Sequence, residues 1–376
     1  MKKKILHVSK YYFPFRGGLE QVARDCVTAL KDMYGQKVFC FNHDNEQGDA
    51  INVVDGVDIV RAGCFAKMFS QSLSFSYGKL LKHTMEDFKP DIVIFHYPNP
   101  FAAHYILKHL EKSTKLIIYW HLDIIKQRFL RIFFSLQNKR LLSRADKIIA
   151  TSPNYVEGSL WLQQVKWKCV VIPNCVSVDR FMRTPEVDEF AKSIRAENNG
   201  KIICLAVGRH TEYKGIGYLI EASKYLDNRF RFYIIGKGEL TEKLKRQAKG
   251  DSKINFLGSI SDGELKAYMS AMDIFCFPSI TKNEAFGLAL AEAMYYGKPS
   301  VTFTIPGSGV NYVSINGKTG IEVPNCNVVA YAEAIKKLAD DRILREKFGE
   351  AAKKRVVEHF LDSSFANNIR REIQGV

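Results

Sequence analysis

Two carboxylates eight residues apart, Glu284 and Glu292, lie in the segment EAFGLALAEAMYYGKP (284–299). At 3.6 residues per turn that spacing amounts to about 800°, which returns the second side chain to within about 80° of the first. On one helix, both would look toward one ligand. Glu284 would sit at the N-terminal edge, where the helix dipole and the backbone N–H groups of Phe286, Gly287 and Leu288 can meet a phosphate or a sugar oxygen. Glu292, two turns on, has the chemistry to accept both hydroxyls of a ribose. Two solvated helix carboxylates would look the same in isolation, so their company decides the reading.

That company is cationic. In VGRHTEYKGIGYLIEA (207–222), Arg209 and Lys214 lie five apart on a loop between a strand and a helix. Two cations so placed can grip a diphosphate, and Gly215 lets the chain turn. Near the N-terminus, YYFPFRGGLEQVARD puts Gly17-Gly18 ahead of a helix whose first N–H groups are free, and the missing Cβ atoms let a phosphate approach. The pair is not G-x-G-x-x-G, which counts against a nicotinamide or flavin site.

The elements that must position these residues alternate. Apolar runs KKILHVS, KVFCFN, DIVIFHY, KLIIYWH, KIIATS and CVVIPN, then KIICLAVGR, RFYIIGKG, INFLGS, IFCFPS and SVTFT, are separated by helical stretches at 18–33, 101–112, 217–227, 239–249, 261–271, 285–296 and 328–340. Unbroken apolar strands alternating with helices mean parallel sheets covered on both faces. A chain of 376 residues predicts two domains rather than one core. The rhythm pauses at 175–200, a polar stretch with Pro185 and Asn-Asn-Gly, read as a joint. The expectation is an α/β protein of two doubly wound, Rossmann-like parallel-sheet domains facing a cleft, with ligands outside the carboxyl ends of the strands.

Composition sets further bounds. Hydrophobic residues make up 46% of the chain, with no low-complexity tract and no apolar run of spanning length. The start MKKKILHVSKYYFPF lacks a signal-peptide core and reads as a first strand. The eight cysteines are scattered without a C-x-x-C pair, as expected of reduced core residues in a cytoplasmic protein. The net charge of +15 is concentrated in KQRFLRIFFSLQNKRLLSRADK (126–147), where seven Lys and Arg face a single acid, Asp146. A surface helix with a buried stripe is one reading. A basic amphipathic face that meets an anionic membrane through Lys126, Arg128, Arg131, Lys139 and Arg140 is the other. Nucleic acid is not expected, because no binding motif accompanies the charge.

With these residues in place the chain resembles a known family. GG-L-E after the first strand, IPN before the joint, VGR…YKG and E-A-F-G-L-A-L-A-E, in that order along the chain, look like the family 4 glycosyltransferases, retaining enzymes of the GT-B fold. HYPNP (96–100), YWHLDIIKQ (119–127) and TSPNY (151–155) look most like bacterial members that build O-antigen and other surface polysaccharides. The resemblance implies an N-terminal acceptor-binding domain over 1–178, a nucleotide-sugar-binding domain over 179–355, and a C-terminal helix, 356–376, crossing back to the first.

It also implies roles. Arg209 and Lys214 would hold the donor diphosphate, aided by N–H groups near Gly17-Gly18 and Gly287. Glu284 would contact the transferred sugar, Glu292 the ribose, and His121, at the end of KLIIYWH, would lie beside the donor sugar. Asp123 is expected to pack or to meet acceptor. No Asp-x-Asp occurs, the pair that commonly holds a metal in the other glycosyltransferase fold. The implied enzyme is metal-independent and retaining, uses no cofactor beyond a GDP- or UDP-linked donor, and moves a hexosyl unit, mannosyl among the candidates, to a lipid-linked saccharide at the inner face of the cytoplasmic membrane. Two departures stand out, VGRH for VGRL at His210 and IPNC for IPNG at Cys175. The alternatives are a sugar-nucleotide epimerase or a phosphorylase of the same architecture, and a non-enzymatic basic binder of membrane or nucleic acid.

Overall fold

The computed structural model describes the backbone of residues 2–15, 17–43, 48–68, 71–124 and 128–376. The chain forms two compact units, Met1–Pro173 with Ser363–Val376, and Asn174–Asp362.

The strands of the first unit are β1 (Lys4–Val8), β2 (Gly35–Phe41), β3 (Ala50–Val54), β4 (Val57–Ala62), the small hairpin β5 (Ala66–Met68) and β6 (Gln71–Leu73), β7 (Ile92–Tyr97), β8 (Lys115–Trp120), β9 (Lys147–Ala150) and β10 (Cys169–Val171). Eight of them make one sheet in the order β10-β9-β8-β7-β1-β2-β4-β3. All neighbours are parallel except β3 and β4, which form a hairpin over Asp55-Gly56. Strands β7 and β8 are buried almost without a break, as a sheet covered on both faces requires. The order reverses between β1 and β7. The C-terminal helix Asp362–Gln374 packs here: Arg370 Nε donates to Ala29 O at 2.7 Å, and Lys147 pairs with Glu372 at 2.9 Å.

The second unit holds β11 (Ile202–Val207), β12 (Phe230–Ile235), β13 (Ile254–Gly258), β14 (Ile274–Phe277), β15 (Ser300–Phe303) and β16 (Gly320–Val323), all parallel, in the order β13-β12-β11-β14-β15-β16. Its order reverses between β11 and β14. Both sheets are therefore doubly wound, each with one switch point where its loops diverge to opposite faces.

The stretch 175–200, expected to be a joint, is folded into the second unit. Thr184 caps the helix Pro185–Glu197 by accepting from Val187 N–H, and Pro185 stands at its first turn, where a missing N–H costs nothing. Its buried residues Val187, Ala191 and Ile194 recur at helical spacing. The polar composition belongs to the outer face of that helix.

Candidate active site

At the switch point of the second unit, the loops after β11 and β14 meet. Gly215 has φ 64°, and a Cβ there would lie 2.0 Å from Pro278 O, so only glycine lets the loops approach this closely. Ile280 N–H donates to Tyr213 O at 2.9 Å and locks them together. This brings Lys214 and Glu284 into a largely buried ion pair, with Ser279 Oγ donating to the same carboxylate oxygen at 3.2 Å. The Lys214 ammonium stands 5.1 Å over the Phe277 ring. Burial alone would push its pKa down; the Glu284 carboxylate outweighs that and holds it above the usual lysine range. Arg209, on the same loop, is exposed.

Glu284 and Glu292 do not share a helix. The helix begins at Leu288, because Gly287 takes φ 93° and ψ 63° as its N-cap. Ser308 Oγ donates to Glu284 O, and Gly309 N–H to Ala285 O at 3.1 Å, which draws that backbone out of helical pairing. Glu284 is thus a loop carboxylate fixed by Lys214 and Ser279. Phe286 packs its ring against Phe360, with centroids 5.5 Å apart. The N-terminus of Leu288–Tyr295 has no side-chain cap, so its leading N–H groups keep their capacity to bind an anion. Glu292, on that helix, lies 3.7 Å from Arg180 Nη1, whose Nη2 meets Asp262 at 3.3 Å. His210 is buried, its Nδ1 2.9 Å from Thr241 Oγ1, and burial lowers its pKa. It braces the loop after β12 against the loop after β11.

In the first unit, Gly17 caps the helix Gly18–Leu30. A Cβ on Gly17 would lie 2.3 Å from Glu20 Oε2, so the glycine makes room for a carboxylate folded back over the helix start. That first turn already holds one anion.

His121 follows β8 and is buried. Its Nε2 lies 3.1 Å from His96 Nδ1 on β7, and its ring stacks on Tyr119 at 4.5 Å and on His96 at 5.4 Å. His96 in turn stacks on His7 of β1 at 6.0 Å, and His7 Nε2 meets Gln36 Oε1 at 2.8 Å. Burial lowers all three pKa values, His7 to about 4 and His121 to about 3. Asp123 is occupied: Trp120 Nε1 and Ser159 Oγ donate to its Oδ1 at 2.9 and 2.8 Å. Sequence reasoning passed over His7, His96, Ser279 and Arg180. The first two carried a signal, a polar side chain inside an otherwise apolar parallel strand.

Of the basic residues expected on a membrane face, Lys126 and the side chains of Arg128 and Arg131 lie outside the described residues. Lys139 and Arg140 are exposed on the helix Arg128–Arg144, whose Leu141 and Leu142 are buried. Among the described residues no helix is long and apolar enough to cross a membrane, and no three His, Cys, Asp or Glu side chains are grouped as metal ligands.

Residues 16–180 match the family described as Glycosyltransferase Family 4, and residues 187–355 that described as Glycosyl transferases group 1. The chain is 28% identical to the O-antigen chain mannosyltransferase C of Escherichia coli, over 95% of this chain and 94% of that one. It is 29% identical to the D-rhamnosyltransferase WbpZ of Pseudomonas aeruginosa, over 95% and 92%. Among solved structures, sucrose-phosphate synthase from Thermosynechococcus elongatus superposes with a TM-score of 0.80 at 19% identity, over 100% of this chain and 99% of that one. Anabaena HepE, in complex with UDP and glucose, gives 0.80 at 17%, with both chains covered in full. These likenesses show the fold, GT-B.

Proposed function

We propose, from the premise that the chain belongs to the family 4 glycosyltransferases, that it transfers a hexosyl unit with retention from a GDP- or UDP-linked donor to a lipid-linked saccharide. Mannosyl is the first choice, because the E. coli relative is a mannosyltransferase. The whole-length likeness to transferases supports transfer and not epimerisation.

The observation that carries this reading is the set of groups at the β11/β14 switch point. Arg209 and Lys214 are assigned to the donor diphosphate, with the uncapped start of Leu288–Tyr295 as a third positive group; the Gly17-Gly18 backbone serves as an accessory contact once the Glu20 carboxylate folded over that helix start moves aside. Glu284, already oriented by Lys214, is assigned to hydroxyls of the transferred sugar, and Glu292 to the ribose. His121 is assigned to the transferred sugar on the strength of the family resemblance. The bond from the anomeric carbon to the phosphate oxygen breaks with its electron pair leaving on the nucleoside diphosphate, where the cations and the helix start stabilise the charge. The acceptor oxygen attacks the oxocarbenium-like carbon from the same face, and its proton passes to the departing phosphate. This route asks for no metal. A lipid-linked acceptor suits an enzyme held at the inner face of the cytoplasmic membrane by the basic helix Arg128–Arg144.

A thermal-shift panel of UDP, GDP, dTDP, ADP and NAD tests the donor site. At 100 times its dissociation constant a nucleotide adds about 2.7 kcal/mol, which for a domain of this size raises Tm by roughly 5–10 °C. GDP or UDP is expected to give that shift and Glu292→Ala to abolish it. A shift with none of the five removes the carboxylates from any nucleotide site.

A further inference from the structure

The stack behind His121 specifies where protons sit. Gln36 Nε2 donates to Val27 O at 2.9 Å, which turns its Oε1 toward His7 Nε2 at 2.8 Å. A carbonyl oxygen only accepts, so His7 carries its proton on Nε2. Between His96 Nδ1 and His121 Nε2, 3.1 Å apart, one nitrogen must donate. His96 Nε2 is buried with no partner among the described residues. Were His121 the donor, neutral His96 would carry its proton on that Nε2 and leave a buried N–H unpaired. With His96 as donor, only a lone pair is left there. An orphaned buried N–H is rarer than an under-satisfied acceptor, and leaving a donor unmade carries its full desolvation cost.

We propose that His96 is a positioning residue: its Nδ1–H donates to His121 Nε2 and keeps the His121 proton on Nδ1, so that His121 presents a hydrogen-bond donor and not a base. The ring planes hold this arrangement, His121 lying within 12° of His96 and 9° of Tyr119. Burial keeps both imidazoles uncharged at neutral pH. The catalytic consequence rests on the assignment of His121 to the transferred sugar; the proton placement does not.

Nitrogen-15 NMR of the histidine-labelled full chain at pH 7 reads the proton directly, with the His121 signals identified by their loss in His121→Ala. The expected pattern is a protonated Nδ1 and a bare Nε2; a proton on Nε2 overturns the proposal. His96→Phe keeps a flat ring in the stack and removes the donor. It is expected to let the His121 proton exchange between nitrogens and to lower kcat with GDP-mannose at least tenfold at unchanged KM. His96→Asn, whose amide nitrogen replaces Nδ1, should restore most of that loss. Full turnover in His96→Phe overturns the positioning role. If that variant does not fold, the wild-type spectrum and the kcat of His96→Asn decide. Undiminished turnover in His121→Ala would sink the sugar assignment, and the catalytic consequence with it, while the proton pattern would still be read from the wild type.

Discussion

Lys214 and Glu284 change what a substitution at either one reports. Glu284 is only 9% exposed, with Lys214 and Ser279 on one carboxylate oxygen. Lys214→Ala would strand that carboxylate, a cost of roughly 3–5 kcal/mol. The variant is therefore expected to lose stability as well as turnover, and its urea midpoint should fall. Arg209 is exposed, and among the described residues its removal leaves no ion-pair partner behind. Arg209→Ala should leave the unfolding free energy from urea titration within about 0.5 kcal/mol of wild type while kcat drops about 10²–10³-fold, the usual cost of losing one preorganised charge. An unchanged kcat would take Arg209 off the diphosphate. Both cations and both carboxylates stood out as residue types, but the eight-residue spacing that would put Glu284 and Glu292 on one helix does not hold, because the helix begins only at Leu288. The pairing of Lys214 with Glu284 was not legible either, because the two are seventy positions apart and meet only through the packing of Gly215 against Pro278.

At the scale of elements, the helix Arg128–Arg144 poses the open question of surface chemistry. Its Leu141 and Leu142 face the interior and its Asn138 bonds Tyr97 OH at 3.1 Å, while Lys139 and Arg140 stand free of that packing. If this helix holds the enzyme on an anionic bilayer, each cation contributes about 1 kcal/mol. Replacing Lys139 and Arg140 together by Ala should then weaken sedimentation with phosphatidylserine vesicles by about thirtyfold, with no change on neutral vesicles. Equal binding by the double variant assigns the two residues to solvent. Long periodic elements such as the helix Val328–Asp340 were readable to the residue. The helix Pro185–Glu197 was hidden by the polar composition of its stretch, whereas the β3–β4 hairpin in INVVDGVDIV was passed over although its Asp-Gly is itself the turn signal. The start of the helix at Leu288 was misread because periodicity runs through Gly287, and only its left-handed backbone ends the pattern.

Across the whole molecule, two parallel sheets were foreseeable from alternation, whereas their strand orders were not. Pairing β11 with both β12 and β14 is a long-range choice that no local pattern encodes. The two units nevertheless differ in a way that pH should expose. His7, His96 and His121 all belong to the first unit, each with its pKa lowered first of all by burial. A histidine at about 4 or about 3 in the folded chain and about 6.5 when unfolded binds its proton preferentially in the unfolded state between those values. Stability must therefore fall as pH drops below about 6.5, by about 2 kcal/mol at pH 5 for each of His7 and His121. All three tryptophans, Trp120, Trp161 and Trp167, also lie in the first unit, so their fluorescence follows that unit alone. Urea titrations at pH 7 and pH 5 should show the tryptophan transition losing about 4 kcal/mol for the two together, while the remaining circular-dichroism transition of the second unit moves less. A tryptophan transition that holds its midpoint at pH 5 would mean that the stacked imidazoles accept protons without unfolding, and the buried neutral stack would have to be given up.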